Sequence, residues 1–114
     1  MSHRAEQVVS VIQRGVQAVI GRGLHDPRVR GLISVTKVVI DDDLSQATVF
    51  VSVLPQEHGE LTLHGLRHAA PRIRSEIRRG VRLRHLPRLR FQLDDSIKKQ
   101  AVFEQALKEQ EEES

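Results

Sequence analysis

Nine arginines fall within one stretch of 24 residues, from Arg67 to Arg90. The guanidinium of arginine stays charged at physiological pH, and its planar fork can bind two phosphate oxygens or stack on a base. A surface with several such groups neutralises phosphates and releases their counterions. We therefore predict that this stretch binds nucleic acid through nine side chains, namely Arg67, Arg72, Arg74, Arg78, Arg79, Arg82, Arg84, Arg88 and Arg90.

The distribution of charge strengthens this interpretation, although the formal net charge is only +3. Residues 1–66 carry six basic and seven acidic side chains, whereas residues 67–90 carry nine arginines and a single acid, Glu76. Residues 91–114 carry three lysines and seven acids. Nearly all the excess positive charge thus lies in the central stretch. A solvated basic helix face, without a ligand, is the alternative interpretation of such a run.

Other chemistries have weaker support. Asp41–Asp43 and Asp94–Asp95 could bind a hard cation or act as acid and base, but consecutive aspartates without ligand-loop spacing are more typical of turns and caps. His64 and His68 have the i, i+4 spacing that can bind zinc, but no third ligand is evident. The chain has no cysteine, no glycine-rich phosphate loop and no nucleophile motif. We predict no enzymatic activity, and no metal, cofactor or small-molecule site.

Length and composition predict one soluble globular domain. The chain has 114 residues, of which 39% are hydrophobic and 29% charged, as in ordinary globular proteins. No apolar run approaches the roughly 20 residues needed to cross a bilayer, and the first residues lack the apolar block of a signal peptide. The expected location is the cytoplasm, with no membrane partner.

Hydrophobic periodicity indicates the elements of the first half. Apolar residues recur at three-and-four spacing from Ala5 to Ile20, which predicts a helix that stops near residue 24. Residues 32–40 and 47–54 are rich in Val, Ile and Thr, which favour strands. The polar segment Asp41–Ser45 lies between them and can close a turn. We predict a β-hairpin.

The second half returns to helical spacing after Pro55, and Pro71 predicts a kink that divides this region into two helices. In the second piece Ile73, Ile77 and Val81 recur at i+4 and should be buried. By the same spacing, three basic side chains should share the solvent face: Arg78, Arg79 and Arg82.

A third strand and a last helix complete the predicted fold. Alternation of Leu89, Phe91 and Leu93 with polar residues predicts the strand, and residues 97–109 should form a helix whose glutamate-rich end is frayed. The predicted fold class is α+β, with a three-stranded sheet covered by helices on one face. Residues 1–97 should form the nucleic-acid-binding domain, and residues 98–114 a C-terminal helix with an acidic tail.

Several strings of the sequence are distinctive in their order and spacing. They are Arg4-Ala5-Glu6, Asp26-Pro27-Arg28, Ile33-Ser34-Val35-Thr36-Lys37-Val38, the hairpin segment from Asp43 to Val53, and Leu83-Arg84-His85-Leu86-Pro87-Arg88-Leu89-Arg90-Phe91 with Asp94 and Ser96. Together they resemble the ribosome-binding factor A family over nearly the whole chain.

The resemblance implies a type II KH fold and a monomeric protein that binds the free small (30S) ribosomal subunit and its 16S rRNA. It further implies a role in late subunit maturation, rRNA processing and cold adaptation. Two other hypotheses remain open: a general RNA-binding chaperone without a ribosomal target, and a protein-interaction module whose basic face binds an acidic partner.

The sequence departs from the family at the predicted kink, where Ala69-Ala70-Pro71 stands in place of the usual Ala-x-Gly. Proline can interrupt the helix, but it does not allow the close approach of RNA that glycine allows.

The resemblance also allows an RNA-binding role for Arg28 and Arg30, and a simple turn is the alternative for that segment.

Two further features bear on recognition. Aromatic residues make up 3% of the chain, namely Phe50, Phe91 and Phe103. With Phe91 assigned to the core, few rings are left to stack on bases, so we expect recognition mainly of RNA backbone and shape.

The glutamate tail could repel RNA, fold back on the arginines or simply be solvated.

Overall fold

A computed structural model describes residues 3–83 and 85–113. It contains three α-helices and three β-strands: α1 (His3–Arg22), β1 (Leu32–Ile40), β2 (Gln46–Leu54), α2 (Gly59–Arg79), β3 (Arg88–Leu93) and α3 (Ser96–Glu113), with a short 3-10 turn at Gln56–His58 before α2. The fold is α+β, and the predicted hairpin and third strand are confirmed within one residue. Among the described helices, none combines the length and the apolar character that a membrane span would require.

The sheet has the order β1-β2-β3, with β2 in the centre. β1 runs antiparallel to β2, as a hairpin requires, whereas β3 runs parallel to β2, with Gln46 opposite Arg88 and Val51 opposite Leu93. A parallel neighbour needs a crossover connection, and α2 supplies it. The basic stretch therefore starts on α2 and ends on an edge strand of the sheet.

A β-bulge in β1 places Ile33 and Val38 on the same, core side of the sheet. Val35 is opposite Val51 and Lys37 is opposite Phe50, so Thr36 is the extra residue in the ladder. Ile33 lies inward before the bulge and Val38 after it, and both are buried. Simple alternation would have turned Val38 outward.

One core lies between the sheet and the helices α1 and α2. It is formed by Val8, Ile12, Val16 and Val19 of α1, Ala47, Val49, Val51 and Val53 of β2, Leu63, Leu66, Ile73 and Ile77 of α2, and Leu89 and Phe91 of β3, with Ile33, Val38 and Leu86. Because α1 and α2 share this cluster with the inward residues of β2, both cover the same face of the sheet, as predicted.

The predicted division of the central region into two helices is wrong, since α2 runs without interruption through Pro71. Proline removes one helix hydrogen bond and costs about 3 kcal/mol in a helix interior. Here the ring is on the exposed side, and the buried residues Leu66, Ile73 and Ile77 bracket it. Burial of apolar residues on both sides of the proline stabilises one continuous helix.

The glutamate-rich end also differs from its prediction, because α3 continues to Glu113 instead of fraying near residue 109. Three of its apolar side chains do not join the core: Val102, Phe103 and Leu107 are all exposed. From residue 101 onwards the helix therefore extends the chain beyond the sheet domain with these side chains outside the core.

Candidate nucleic-acid interface

Three of the four exposed arginines of α2 lie in its C-terminal half, and the fourth, Arg67, lies nearer its start. Arg72, Arg78 and Arg79 are exposed on the helix, and Arg82 is exposed in the segment that follows it. Arg72 and Arg79 are seven residues apart, so they project from nearly the same side of the helix. Arg78 and Arg79 occupy the last turn, where positive charge interacts favourably with the helix dipole.

Two arginines of α1 extend this basic surface, although sequence reasoning missed them. Arg14 and Arg82 line the same groove, and Arg14 and Arg22 line an adjoining groove with Glu76. The charge count could not identify Arg14 and Arg22, because residues 1–66 taken together carry no excess of basic side chains. We call the surface formed by Arg14, Arg22, Arg72, Arg78, Arg79 and Arg82 the arginine face.

Glu76 is the acidic member of this surface. Its Oε2 lies 3.2 Å from Arg22 Nη2, and its Oε1 lies 3.7 Å from Arg72 Nε. The carboxylate thus bridges α1 and α2 and partly neutralises two arginines. Within the described part of the chain, Arg78, Arg79 and Arg82 form no ion pair. These three cations are the most available for an external phosphate.

Two of the predicted nucleic-acid ligands donate hydrogen bonds within the protein. Arg74 Nε donates to the carbonyl oxygens of Leu86 and Pro87 at 3.0 and 3.1 Å, and its Nη2 donates to Leu86 at 2.6 Å. Arg67 Nε donates to the Phe91 carbonyl at 3.3 Å. Arg74 therefore fixes the segment before β3, and Arg67 joins α2 to β3.

Two further predicted ligands, Arg88 and Arg90, do not lie on the arginine face. Leu89 and Phe91 of β3 are buried under the helices, so the exposed Arg88 and Arg90 point to the opposite side of the sheet. Arg84 lies outside the described residues. The structure thus distributes the arginine-rich stretch over two separate surfaces.

The Asp26-Pro27-Arg28 segment is part of a loop that packs closely on α2. Thr62 is completely buried, and its hydroxyl donates to the carbonyl oxygen of Arg30 (3.1 Å) or of Arg28 (3.3 Å) and accepts from the Arg30 N–H. At Gly65, an added Cβ would lie 2.6 Å from Val29 Cγ2. The backbone carrying Arg28 and Arg30 is therefore fixed against the helix.

Asp26 binds Arg28 through both of its carboxylate oxygens. Arg28 Nη2 donates to Oδ2 at 2.7 Å, and Arg28 Nε and backbone N–H donate to Oδ1 at 3.0 and 2.9 Å. The side-chain hydrogen bonds, followed by the backbone one, lower the pKa of Asp26 from 3.8 to about 2. Arg28 thus serves the turn in this structure, while Arg30 donates from Nε to the Pro27 carbonyl.

The aspartates weighed as cation ligands form turns and caps. Asp43 Oδ1 accepts from the backbone and hydroxyl of Ser45, which lowers the pKa of Asp43. Asp94 accepts from Ser96 and from the hydroxyl of Thr36, and these hydrogen bonds lower the pKa of Asp94 to about 2.

His64 and His68, which were considered as zinc ligands, are exposed on α2. In the described part of the chain, no group of three or more His, Asp or Glu side chains is arranged to hold a metal.

Acidification from pH 5 to pH 2 is expected to destabilise the fold through Asp26 and Asp94. Their folded-state pKa values of about 2 lie below 3.8, so the unfolded chain binds more protons between these limits. The stabilisation is complete above about pH 4 and is lost as the pH falls through 2. Thermal unfolding at several pH values should show a smaller drop in Tm for Asp26→Asn and Asp94→Asn than for the unchanged chain. An equal drop would contradict the prediction.

Comparison of the sequence with known families bears on the nature of this site. The family model for ribosome-binding factor A matches residues 4–107. A ribosome-binding factor A of Anaeromyxobacter sp. is 40% identical over 107 residues, which span 93% of this chain and 88% of that protein. The family member of Clostridioides difficile is 36% identical over 93% of this chain and 83% of its own. The chain belongs to the ribosome-binding factor A family.

Solved structures of ribosome-binding factor A share the fold. The crystal structure of the Thermus thermophilus protein aligns with a TM-score of 0.64 and 32% identity, over 77% of this chain and 93% of that one. A homology model of the Thermus thermophilus protein, fitted into a cryo-EM map of a 30S complex, aligns with a TM-score of 0.59 and 31% identity over 84% and 97% of the two chains. The predicted type II KH-like fold is therefore confirmed.

The turn of α2 around Pro71 packs against the core on one side only. In this member of the ribosome-binding factor A family, Ala69 and Ala70 are half-buried and pack against the core, whereas Pro71 is exposed. The small alanine side chains allow α2 to lie close to the core where proline removes a hydrogen bond. The three residues thus form a helical turn, and no loop separates the two halves of α2.

Proposed function

We propose that this protein is a non-catalytic assembly factor that binds the free small ribosomal subunit through its arginine face. The observation that carries the proposal is the set of exposed cations Arg78, Arg79 and Arg82, which have no ion-pair partner in the described residues. Guanidinium groups at a surface of this kind suit the phosphates of 16S rRNA. Family membership and the 30S complex of the Thermus thermophilus protein support the choice of partner.

In the proposed mechanism, the protein contacts rRNA chiefly through phosphates and shape. Phe50 lies on β2, Phe91 in the core and Phe103 on α3, so the arginine face offers charge and hydrogen-bond donors without an aromatic ring. Double-stranded RNA is recognised mostly in this way, because its base edges are poorly accessible. Bound to a maturing subunit, the protein would assist late folding and processing of 16S rRNA, with greater importance in the cold.

We further propose that residues 1–97 form the RNA-binding domain and that residues 98–114 are an acidic extension. The exposed apolar side chains of α3 and the four glutamates between residues 109 and 113 support this division. A monomer would suffice for binding, since the arginine face is built from one chain.

Co-sedimentation with purified small subunits, large subunits and whole ribosomes across a salt series tests the proposed function. We expect selective retention on free small subunits, lost as salt is raised. If about five phosphates are contacted, the logarithm of the binding constant should fall against the logarithm of salt with a slope of about −3.5 to −4.5.

The other outcomes distinguish the alternatives. Equal retention on small and large subunits would favour a general RNA-binding chaperone. Retention on neither particle would contradict the proposed function. Retention that is selective but insensitive to salt would contradict the arginine face as the binding surface.

A further inference from the structure

The sheet has a second face, on the side away from α1 and α2. In β2 the residues Ala47, Val49, Val51 and Val53 are buried against the helices. Since side chains alternate along a strand, Thr48 and Phe50 point to the opposite side. On that side Arg88 and Arg90 of β3 and Lys37 of β1 are exposed, and Val39 is 45% exposed. We call this surface the open sheet face.

Strand register brings an aromatic ring and three cations together on this face. Phe50 of the central strand pairs with Lys37 on one side and with Gln92 on the other. One step along the strands, Thr48 pairs with Arg90, and Arg88 follows on the same side of β3. The cations come from both edge strands and flank the ring.

One face of the half-buried Phe50 ring is covered by a lysine side chain. Lys37 Nζ lies 4.8 Å from the ring centroid, so the side chain over the ring is an exposed and flexible one. A planar group that displaces Lys37 would gain the ring face and remain next to the displaced ammonium. Cations and flat aromatic groups both bind favourably to such a face.

The cations of this face are available for a ligand. Within the described residues, Lys37, Arg88 and Arg90 form no salt bridge. The acidic groups nearest to them along the chain are Asp41–Asp43, in the turn between β1 and β2, and Asp94, after the end of β3, whose carboxylate accepts hydrogen bonds from Thr36 and Ser96. No acidic residue belongs to the three strands themselves, so the open sheet face is positive between its two ends.

We propose that the open sheet face is a second RNA-binding surface, specific for a short single-stranded segment. One unpaired base would stack on Phe50, and the flanking phosphates would lie on Lys37, Arg88 and Arg90. A duplex cannot use this site, because its bases are stacked on each other and do not offer a free face. The inference rests on the proposed function, since it assumes an RNA partner, but it concerns a different surface and a different RNA structure.

Fluorescence anisotropy with a fluorescein-labelled ten-nucleotide oligouridylate tests this proposal. Stacking contributes enough per base that Phe50→Leu is expected to weaken binding by about tenfold. Arg90→Gln is expected to weaken binding and to reduce the magnitude of the salt slope by about 0.7. The matched control is Phe103→Leu on α3, which removes an aromatic ring that is 63% exposed and should leave the affinity unchanged.

Perturbation of backbone amide NMR signals by the oligouridylate provides a second measurement, which uses the unchanged chain and so does not depend on the folding of a variant. We expect shifts concentrated at Lys37, Phe50 and Arg90. Absence of binding at low salt, unchanged affinity of Phe50→Leu, or shifts confined to the arginine face would each overturn the proposal. Equal competition by polyglutamate would also overturn it, because it would indicate a site for any acidic polymer.

Failure of this proposal can be separated from failure of the proposed function. Phe50→Leu should still co-sediment with small subunits if the arginine face is the main site for them. If subunits are not bound at all while the oligouridylate is bound through Phe50, the proposed function fails and the single-strand site stands.

Discussion

Charge reversal at Arg78, Arg79 and Arg82 is expected to abolish co-sedimentation with small subunits while the fold is retained. The three side chains are exposed and lack ion pairs within the described part of the chain, so little internal stabilisation is lost. Each arginine that contacts a phosphate contributes about 0.7 to 0.9 to the salt slope. The neutral triple variant with glutamine should therefore reduce the magnitude of the slope by about 2 to 2.7, and the glutamate variant adds repulsion.

A matched control separates the location of the charges from their number. Glutamate at Lys98, Lys99 and Lys108 changes the net charge by the same amount at residues of α3, none of which belongs to the set that defines the arginine face. This control should keep most of its subunit binding. If both triple variants lose binding equally, the protein is attracted to the subunit by its net charge. If the variant at 78, 79 and 82 binds normally, the arginine face is not the binding surface.

Phe91→Ala is expected to have the largest effect on stability. Phe91 lies on β3 and is 1% exposed. Among the described residues it is the largest side chain that is fully buried. Truncation of a buried phenylalanine to alanine typically costs about 3–5 kcal/mol, because transfer energy is lost and a cavity remains. That is a large part of the roughly 5–15 kcal/mol that stabilises an ordinary domain.

Urea unfolding of the variant and of a second phenylalanine variant would measure this effect. Phe103→Ala on α3 removes a ring that is 63% exposed, and the expected change is within about 0.5 kcal/mol. A loss below about 1 kcal/mol for Phe91→Ala would mean that the core closes around the missing ring. Comparable losses for both variants would contradict the exposed position of Phe103.

Most of the fold could be predicted because local patterns determine it. The three-and-four spacing from Ala5 to Ile20 gave α1, and β-branched residues around a polar turn gave the hairpin. Alternation also identified β3, but it could not give the parallel direction of β3, because alternation reports which side chains share a face and not which strand lies alongside. The continuous α2 was missed for a related reason: the effect of Pro71 depends on tertiary packing at Leu66, Ile73 and Ile77.

The candidate site was only partly predictable. Charge density predicted a binding role for the stretch that contains Arg78, Arg79 and Arg82, and the structure shows these three side chains exposed. Their role in binding stays a prediction. The same count could not separate them from Arg74, which donates to carbonyl oxygens of residues 86 and 87. Composition does not show which side chains donate hydrogen bonds to backbone atoms that lie far along the chain. Arg14 and Arg22 reach the arginine face only because α1 packs beside α2.

The parallel pairing of β2 and β3 has a consequence for how the chain is made. Residues 46–51 of the central strand pair with residues 88–93 as their second neighbour, so one side of β2 stays unpaired until residues 88–93 have left the ribosome. The same late segment brings Phe91 to the core. During synthesis the hairpin and α1 can form early, since their contacts are closer in sequence, but the sheet is completed only when its last strand has been translated.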